Sequence, residues 1–150
     1  MTLQELRRRL REERFDSDIY WVGSDDGWRS KNDCHCLLDA GDHWELFYTE
    51  RGVRDAGQRF RAESDACDAY WALLSGSPTF RRHMIAFVAA ASRAELLREA
   101  LAQEGIATEV DAIPYSRGPN GTRHRVFVDG RDLDRAFAIR ARLAPGSWHD

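Results

Sequence analysis

Apolar residues recur at helical spacing from the start of the chain, with Leu3, Leu6 and Leu10 following Thr2. Glu5 stands three residues after that threonine, as in a capping box, so the pattern predicts a helix from Leu3 to Glu13. Ile19 to Val22 then reads as a short strand, stopped by the polar turn Gly23-Ser24-Asp25-Asp26-Gly27. Cys34–Leu38 and His43–Thr49 are two further strands, joined by Asp39-Ala40-Gly41-Asp42 as a hairpin. Strand alternation places Trp44, Leu46 and Tyr48 on one face and Glu45 and Phe47 on the other. A short extended segment begins at Phe60. Ser64 is then expected to cap a helix whose Cys67, Tyr70, Trp71 and Leu74 share one apolar face.

The cluster Ser75-Gly76-Ser77-Pro78 breaks the pattern and is the expected linker. Beyond it, Met84 to Ala90 is an unbroken apolar run, as in a strand buried on both faces. Ser92 is expected to cap a helix striped by Leu96, Leu97, Ala100 and Leu101 and ended by Gly105. Thr108–Tyr115 is an extended segment, Arg117 to Gly121 a turn and Arg123–Val128 a strand. Asp132 is expected to cap a last helix with Leu133, Phe137 and Leu143 inward. The expected fold class is α+β, in two small units with antiparallel sheets and helices on one face. The first, residues 1–78, reads α-β-β-β-α. The second, residues 79–150, reads β-α-β-β-α, a half-ferredoxin order.

Composition narrows the function without naming it. The chain has 150 residues, a net charge of −3 and 43% hydrophobic residues, which is too apolar for disorder. No run approaches the roughly 18 apolar residues of a membrane span, so no membrane is expected. The N-terminus has no apolar export core, and three cysteines do not make a disulfide framework, so a reducing cytoplasm is the expected compartment. Charge is uneven. Residues 1–78 carry 11 basic and 16 acidic residues, net −5, and residues 79–150 carry 11 and 9, net +2. That balance speaks against a broad nucleic-acid footprint and for a basic protein partner, because opposite fields steer encounter.

Reactive groups do not converge in the sequence. Cys34-His35-Cys36 resembles a metal cluster, but on a strand His35 points away from the two thiols, so no metal is expected. Cys36 and His43 are near enough across the hairpin to be weighed as a thiol–imidazole pair, though no motif supports them. No His-Glu-x-x-His, Gly-x-Ser-x-Gly or phosphate-binding glycine loop occurs. The expectation is therefore a protein without catalytic groups or cofactor. Features suited to binding remain. Trp28 sits in a polar loop beside Asp25 and Asp26, as a lid over the core or an interface anchor. Tyr115, Arg117 and Asn120 belong to the glycine-proline turn, and Glu50-Arg51 is an exposed pair at a strand end.

Three segments carry a likeness. Asp33-x-x-Cys36-Leu37, Trp44-Glu45-Leu46-Phe47-Tyr48-x-Glu50-Arg51-Gly52 and Phe60-x-x-Glu63-Ser64-x-Ala66-Cys67 together resemble small bacterial immunity proteins encoded beside polymorphic toxins. Their toxins include the tuberculosis-necrotizing type, which hydrolyse NAD. The resemblance implies an antitoxin that binds a cognate toxin's catalytic domain, one to one, and blocks its cleft. On that expectation Asp25, Asp26 and Glu50 meet a basic rim, with Trp28 and Tyr115 in apolar space. The second half resembles the SPOR domain through Phe87-Val88, the Ala94–Gly105 helix, Val110, Tyr115 and Arg123–Gly130. That implies, as the alternative, a module binding peptidoglycan glycan or another ligand. A small enzyme using Cys36 or a histidine is the third reading.

Overall fold

A computed structural model describes residues 1–114, 121–143 and 146–149. The chain forms two compact units, Met1–Phe80 and Arg81–Asp150. Both mix helices with largely antiparallel sheets, an α+β architecture.

The first unit begins with α1 (Leu3–Glu12), where Thr2 accepts the Glu5 N–H as its cap. The strands are β1 (Tyr20–Gly23), β2 (Cys34–Asp39), β3 (Trp44–Glu50), β4 (Val53–Arg54) and β5 (Gln58–Phe60), followed by α2 (Glu63–Ser75). β2 and β3 form the hairpin, in the register Cys34–Thr49 to Asp39–Trp44. β4 and β5 pair with opposite ends of β3. One expectation is corrected here: β1 runs parallel to β2, so this sheet is not wholly antiparallel. A parallel pair needs a crossover that carries the chain back to its starting end. Residues 24–33 make it, through a 3-10 helix over Asp26–Ser30 that lies against the sheet.

Both α-helices lie on one face of this sheet, as expected, while the crossover packs on the other. α1 and α2 cover one side of the sheet, where Leu6, Leu10, Leu37, Trp44, Leu46, Tyr70 and Leu74 form a core. On the other side Trp28 closes over Cys34, Cys36 and Phe47. Each fully buried leucine contributes about 1.5–3 kcal/mol of transfer free energy. Tyr70 lies wholly inside, its hydroxyl 2.7 Å from the His35 carbonyl oxygen and 3.2 Å from that of Trp21, bridging the parallel pair. α2 starts at Glu63 behind an extended Ala62, so Ser64 lies inside the helix and does not cap it. The Glu63 carboxylate instead accepts the Leu3 N–H at 2.7 Å, giving an orphan donor of α1 its partner.

The second unit comprises β6 (Arg82–Val88), α3 (Ala91–Gln103), β7 (Thr108–Pro114), β8 (Thr122–Asp129) and α4 (Leu133–Arg142). β8 lies between β6 and β7 and is antiparallel to both, the half-ferredoxin order. Ile85, Val88, Leu97, Leu101, Val126, Val128, Ala136 and Ile139 share one core with Trp148. Three local expectations fail. β6 is an edge strand with a bulge between Met84 and Ala86, and Met84 is exposed, so the strand is not buried on both faces. α3 begins behind Ala90, with Ser92 inside it. Phe137 points outward beneath the Arg140 guanidinium, because Ala136 and Ile139 occupy the inward face of α4. None of the helices found is long and apolar enough to cross a membrane.

Candidate functional site

Two hollows on the first unit bring polar side chains together. The first collects part of the acidic set expected from the sequence. Ser24, Asp25, Asp26, Leu38, Asp39 and Gly41 surround an open depression of about 610 Å³, where the crossover leaves β1 and the hairpin turn begins. Asp25 accepts the Gly27 N–H at 2.8 Å and Asp39 accepts the Gly41 N–H at 2.9 Å, so each carboxylate is held by its own loop. Asp26 is exposed and, among the described residues, pairs only with the exposed Arg29, at 3.2 Å. Such a pair adds little to stability. The Asp25 and Asp39 carboxylates are therefore fixed in position beside an exposed Asp26, and a cation of another molecule can reach the rim.

The remaining expected residues do not join this rim. Trp28 takes the lid role: it is 5% exposed, stands edge-on to Phe47 at 5.1 Å and lies under the Arg29 guanidinium at 4.7 Å. Its burial follows from the crossover, which passes over the sheet face. Glu50 and Arg51 lie at the far end of the hairpin, beside Asn32, whose side-chain oxygen accepts the Arg51 N–H at 2.6 Å. Asp25 and Asp26 are near Asp39, and Glu50 is beside the Cys34 end of the same strand, so β2 separates the two groups. Tyr115, Arg117 and Asn120 lie outside the described residues.

The cysteine readings resolve by geometry. Cys34 and Cys36 face Phe47 and Trp28, and all three thiols of the chain are free and buried. The Cys36 S–H is directed at the Cys34 carbonyl oxygen at 3.7 Å and that of Cys34 at the His35 carbonyl oxygen at 3.5 Å, and the contact between the two side chains, then burial, raises the pKa of Cys36. His43 is not available to Cys36. Its two ring nitrogens meet Asp42 and, at 2.9 Å, Glu45. The hydrogen bond to Glu45, then that to Asp42, raises the pKa of His43, and the bond from His43, then the one from Arg54, lowers that of Glu45. Among the described residues no group of three or more His, Cys, Asp or Glu side chains is arranged to hold a metal ion.

The second hollow was not read from the sequence. It holds about 510 Å³ on the helix side of the sheet, where β3 exchanges its partner β4 for β5. His35, Tyr48, Asp55 and Gln58 supply its polar lining, and Leu46, Ala69 and Leu73 its apolar wall. The His35 ring packs against Tyr48 at 5.0 Å and Phe80 at 5.2 Å. Burial lowers its pKa, opposed by the Asp55 carboxylate, which favours the neutral imidazole. Asp55 accepts the Tyr48 N–H at 3.1 Å and returns its own N–H to the Tyr48 carbonyl at 3.0 Å. Gly57 makes room for this turn. Its φ is +61°, and a Cβ there would stand 2.6 Å from the Leu46 carbonyl oxygen. The only sequence signal was strand alternation, which sent His35 away from Cys34 and Cys36.

Comparison with protein-family models, curated proteins and solved structures gives no significant match.

Proposed function

We propose that this chain is an immunity protein: a cytoplasmic inhibitor, without catalytic groups or cofactor, that binds the catalytic domain of a cognate toxin one to one. The first unit docks through the rim carrying Asp25, Asp26 and Asp39 and keeps substrate out of the toxin's cleft. The observation that carries this reading is that rim, with Asp25 and Asp39 held in place by backbone hydrogen bonds, on a unit of net charge −5. Preset carboxylates cost little ordering free energy when a basic surface arrives, and the net field steers the encounter. A toxin acting on a phosphate-bearing substrate such as NAD has such a surface around its cleft. Occlusion requires about 1,200–2,000 Å² of buried surface in total and no chemistry from the inhibitor.

The test is protection of cells that express the toxin domain encoded beside this chain's gene. Asp26→Arg, at an exposed position, is expected to lower protection at least about tenfold with the melting temperature unchanged. An adjacent gene that encodes no toxin, or full protection by Asp26→Arg, sinks the reading. Trp28→Ala is unsuitable for this test because the indole is core. A second reading, a SPOR-like glycan- or ligand-binding module, is favoured by the β6-β8-β7 order of the second unit. Retention on purified cell-wall glycan in the presence of competing lysate protein is its distinguishing result.

A further inference from the structure

His35 is an unusual wall for a hollow. Neither of its ring nitrogens has a hydrogen-bond partner among the described residues, although the ring is partly buried between Tyr48 and Phe80. A neutral imidazole carries one donor and one acceptor, and both go unmatched here. Beside it the Asp55 carboxylate has no ion pair among the described residues and accepts only the Tyr48 N–H. The Tyr48 hydroxyl points toward a second carboxylate, Asp33, at 3.5 Å, and the charge of Glu50 also acts on it. Asp55 in the lining, and Asp33 and Glu50 beyond it at the Tyr48 hydroxyl, disfavour an anion and give an uncharged ring nothing. They favour a cation. The opposite wall is apolar, and Leu73 is 39% exposed there, which suits a cation on a short alkyl stem.

We propose that this hollow is a binding site for an alkylguanidinium group. Asp55 accepts the paired N–H groups of the plane, His35 accepts another, the Tyr48 ring covers one face, and the stem lies along Leu46 and Leu73. A guanidinium fits better than an ammonium because it is planar, weakly hydrated and presents parallel donors to one carboxylate. A tyrosine face adds cation–π attraction within about 6 Å of the ring centre. Two sources share this chemistry: a free alkylguanidine such as agmatine, and an arginine side chain of a protein. The site is independent of the Asp25–Asp39 rim, and its occupancy is measured on this chain alone, so either proposal can fail without the other.

The experiment is an NMR titration of the whole chain with ethylguanidinium chloride, with ethylammonium chloride and sodium chloride as controls. Saturable shifts confined to the His35 ring, the Tyr48 ring and the Leu73 methyls are expected, at least about fivefold weaker for ethylammonium. Asp55→Asn keeps an oxygen for the Tyr48 N–H and removes the charge, and about a tenfold loss of affinity is expected. Leu73→Lys, at an exposed helix position, sets an ammonium at the mouth and is expected to lose at least as much. Shifts that do not saturate, equal response to ethylammonium, or parental affinity in both variants overturns the proposal. Agmatine and a blocked Gly-Arg-Gly peptide then identify the source. Tighter agmatine binding assigns the site to a free small molecule, and tighter peptide binding to a protein arginine.

Discussion

In the second unit, acids on β7 match arginines of both other strands of the sheet. Arg82 meets Glu109 at 2.8 Å and Arg125 meets Asp111, while both guanidiniums lie over the Phe127 ring. The Arg125 contact lowers the pKa of Asp111, as expected for a carboxylate already engaged. In the first unit, among the described residues, Asp25, Asp39 and Asp55 are tied only to nearby backbone, and the His35 ring nitrogens to nothing. The two units are similar in size and class, but at these sites they use their polar groups differently. Groups satisfied internally stabilise a fold and have little left for a ligand. Groups fixed in place and left unmatched are preorganised for one. The difference directs attention to the first unit whatever the partner is.

The sharpest way to test that contrast is at two glycines with left-handed backbone. Gly57 has φ +61° and no room for a Cβ, while Gly105 has φ +74° and open space around it. Alanine at Gly105 adds only the backbone penalty, about 1–2 kcal/mol. Alanine at Gly57 adds that penalty and a clash with the Leu46 carbonyl, for a total of about 2–5 kcal/mol. Urea unfolding measures both losses. Equal losses in the two variants would mean that the turn beside the second hollow is not held tightly, and the preorganisation argument would fail.

Next in size is a pair of side chains that support strand carbonyls. Tyr70 supports those of His35 and Trp21 in the first unit, and Arg140 donates to that of Ile85 at 2.6 Å in the second. Ile85 is at the β6 bulge, where the ladder register shifts. Tyr70→Phe and Arg140→Met are each expected to lose about 1–3 kcal/mol in urea unfolding, because a buried acceptor is left unmet. A loss below about 0.5 kcal/mol for Tyr70→Phe would mean that the parallel β1–β2 pair is held by its ladder alone.

These particular residues also explain what the sequence made legible. The start of α1, the β2–β3 hairpin and the alternation that separates His35 from Cys34 and Cys36 are local patterns, and local pattern sufficed for them. Strand direction is not local. Whether β1 meets β2 parallel depends on the route of residues 24–33, and that route also buries Trp28 beneath Arg29. The caps expected at Ser64 and Ser92 failed because each helix starts earlier, and at α2 the first-turn acid Glu63 serves α1. Phe137 failed because small Ala136 and Ile139 fill the space against the sheet. The acidic rim was half legible: Asp25 and Asp26 were expected, but Asp39 joined them only through folding, and Glu50 did not. The second hollow draws on β2, the 55–58 turn and α2, and no motif in one segment announces it.

The smallest effect, and the most diagnostic, separates two histidines of the first unit. His43 has both ring nitrogens on carboxylates, so its pKa is raised above the ordinary value near 6.5, while burial lowers that of His35. The linkage signs are opposite. The stability that His43 contributes is complete below about pH 6.5 and is lost as pH rises through its raised pKa. That of His35 is complete above about pH 6.5 and is lost as pH falls through its lowered pKa. A ring-nitrogen NMR titration should place the two midpoints on opposite sides of about 6.5. Asp42→Asn, at an exposed position, should bring the His43 midpoint down, and Asp55→Asn should lower the His35 midpoint further, because Asp55 is the charge that props it up. Midpoints on the same side would mean that the His35 ring is solvated like any surface imidazole. The hollow beside it would then be an ordinary wet surface, and the contrast between the units would reduce to the acidic rim.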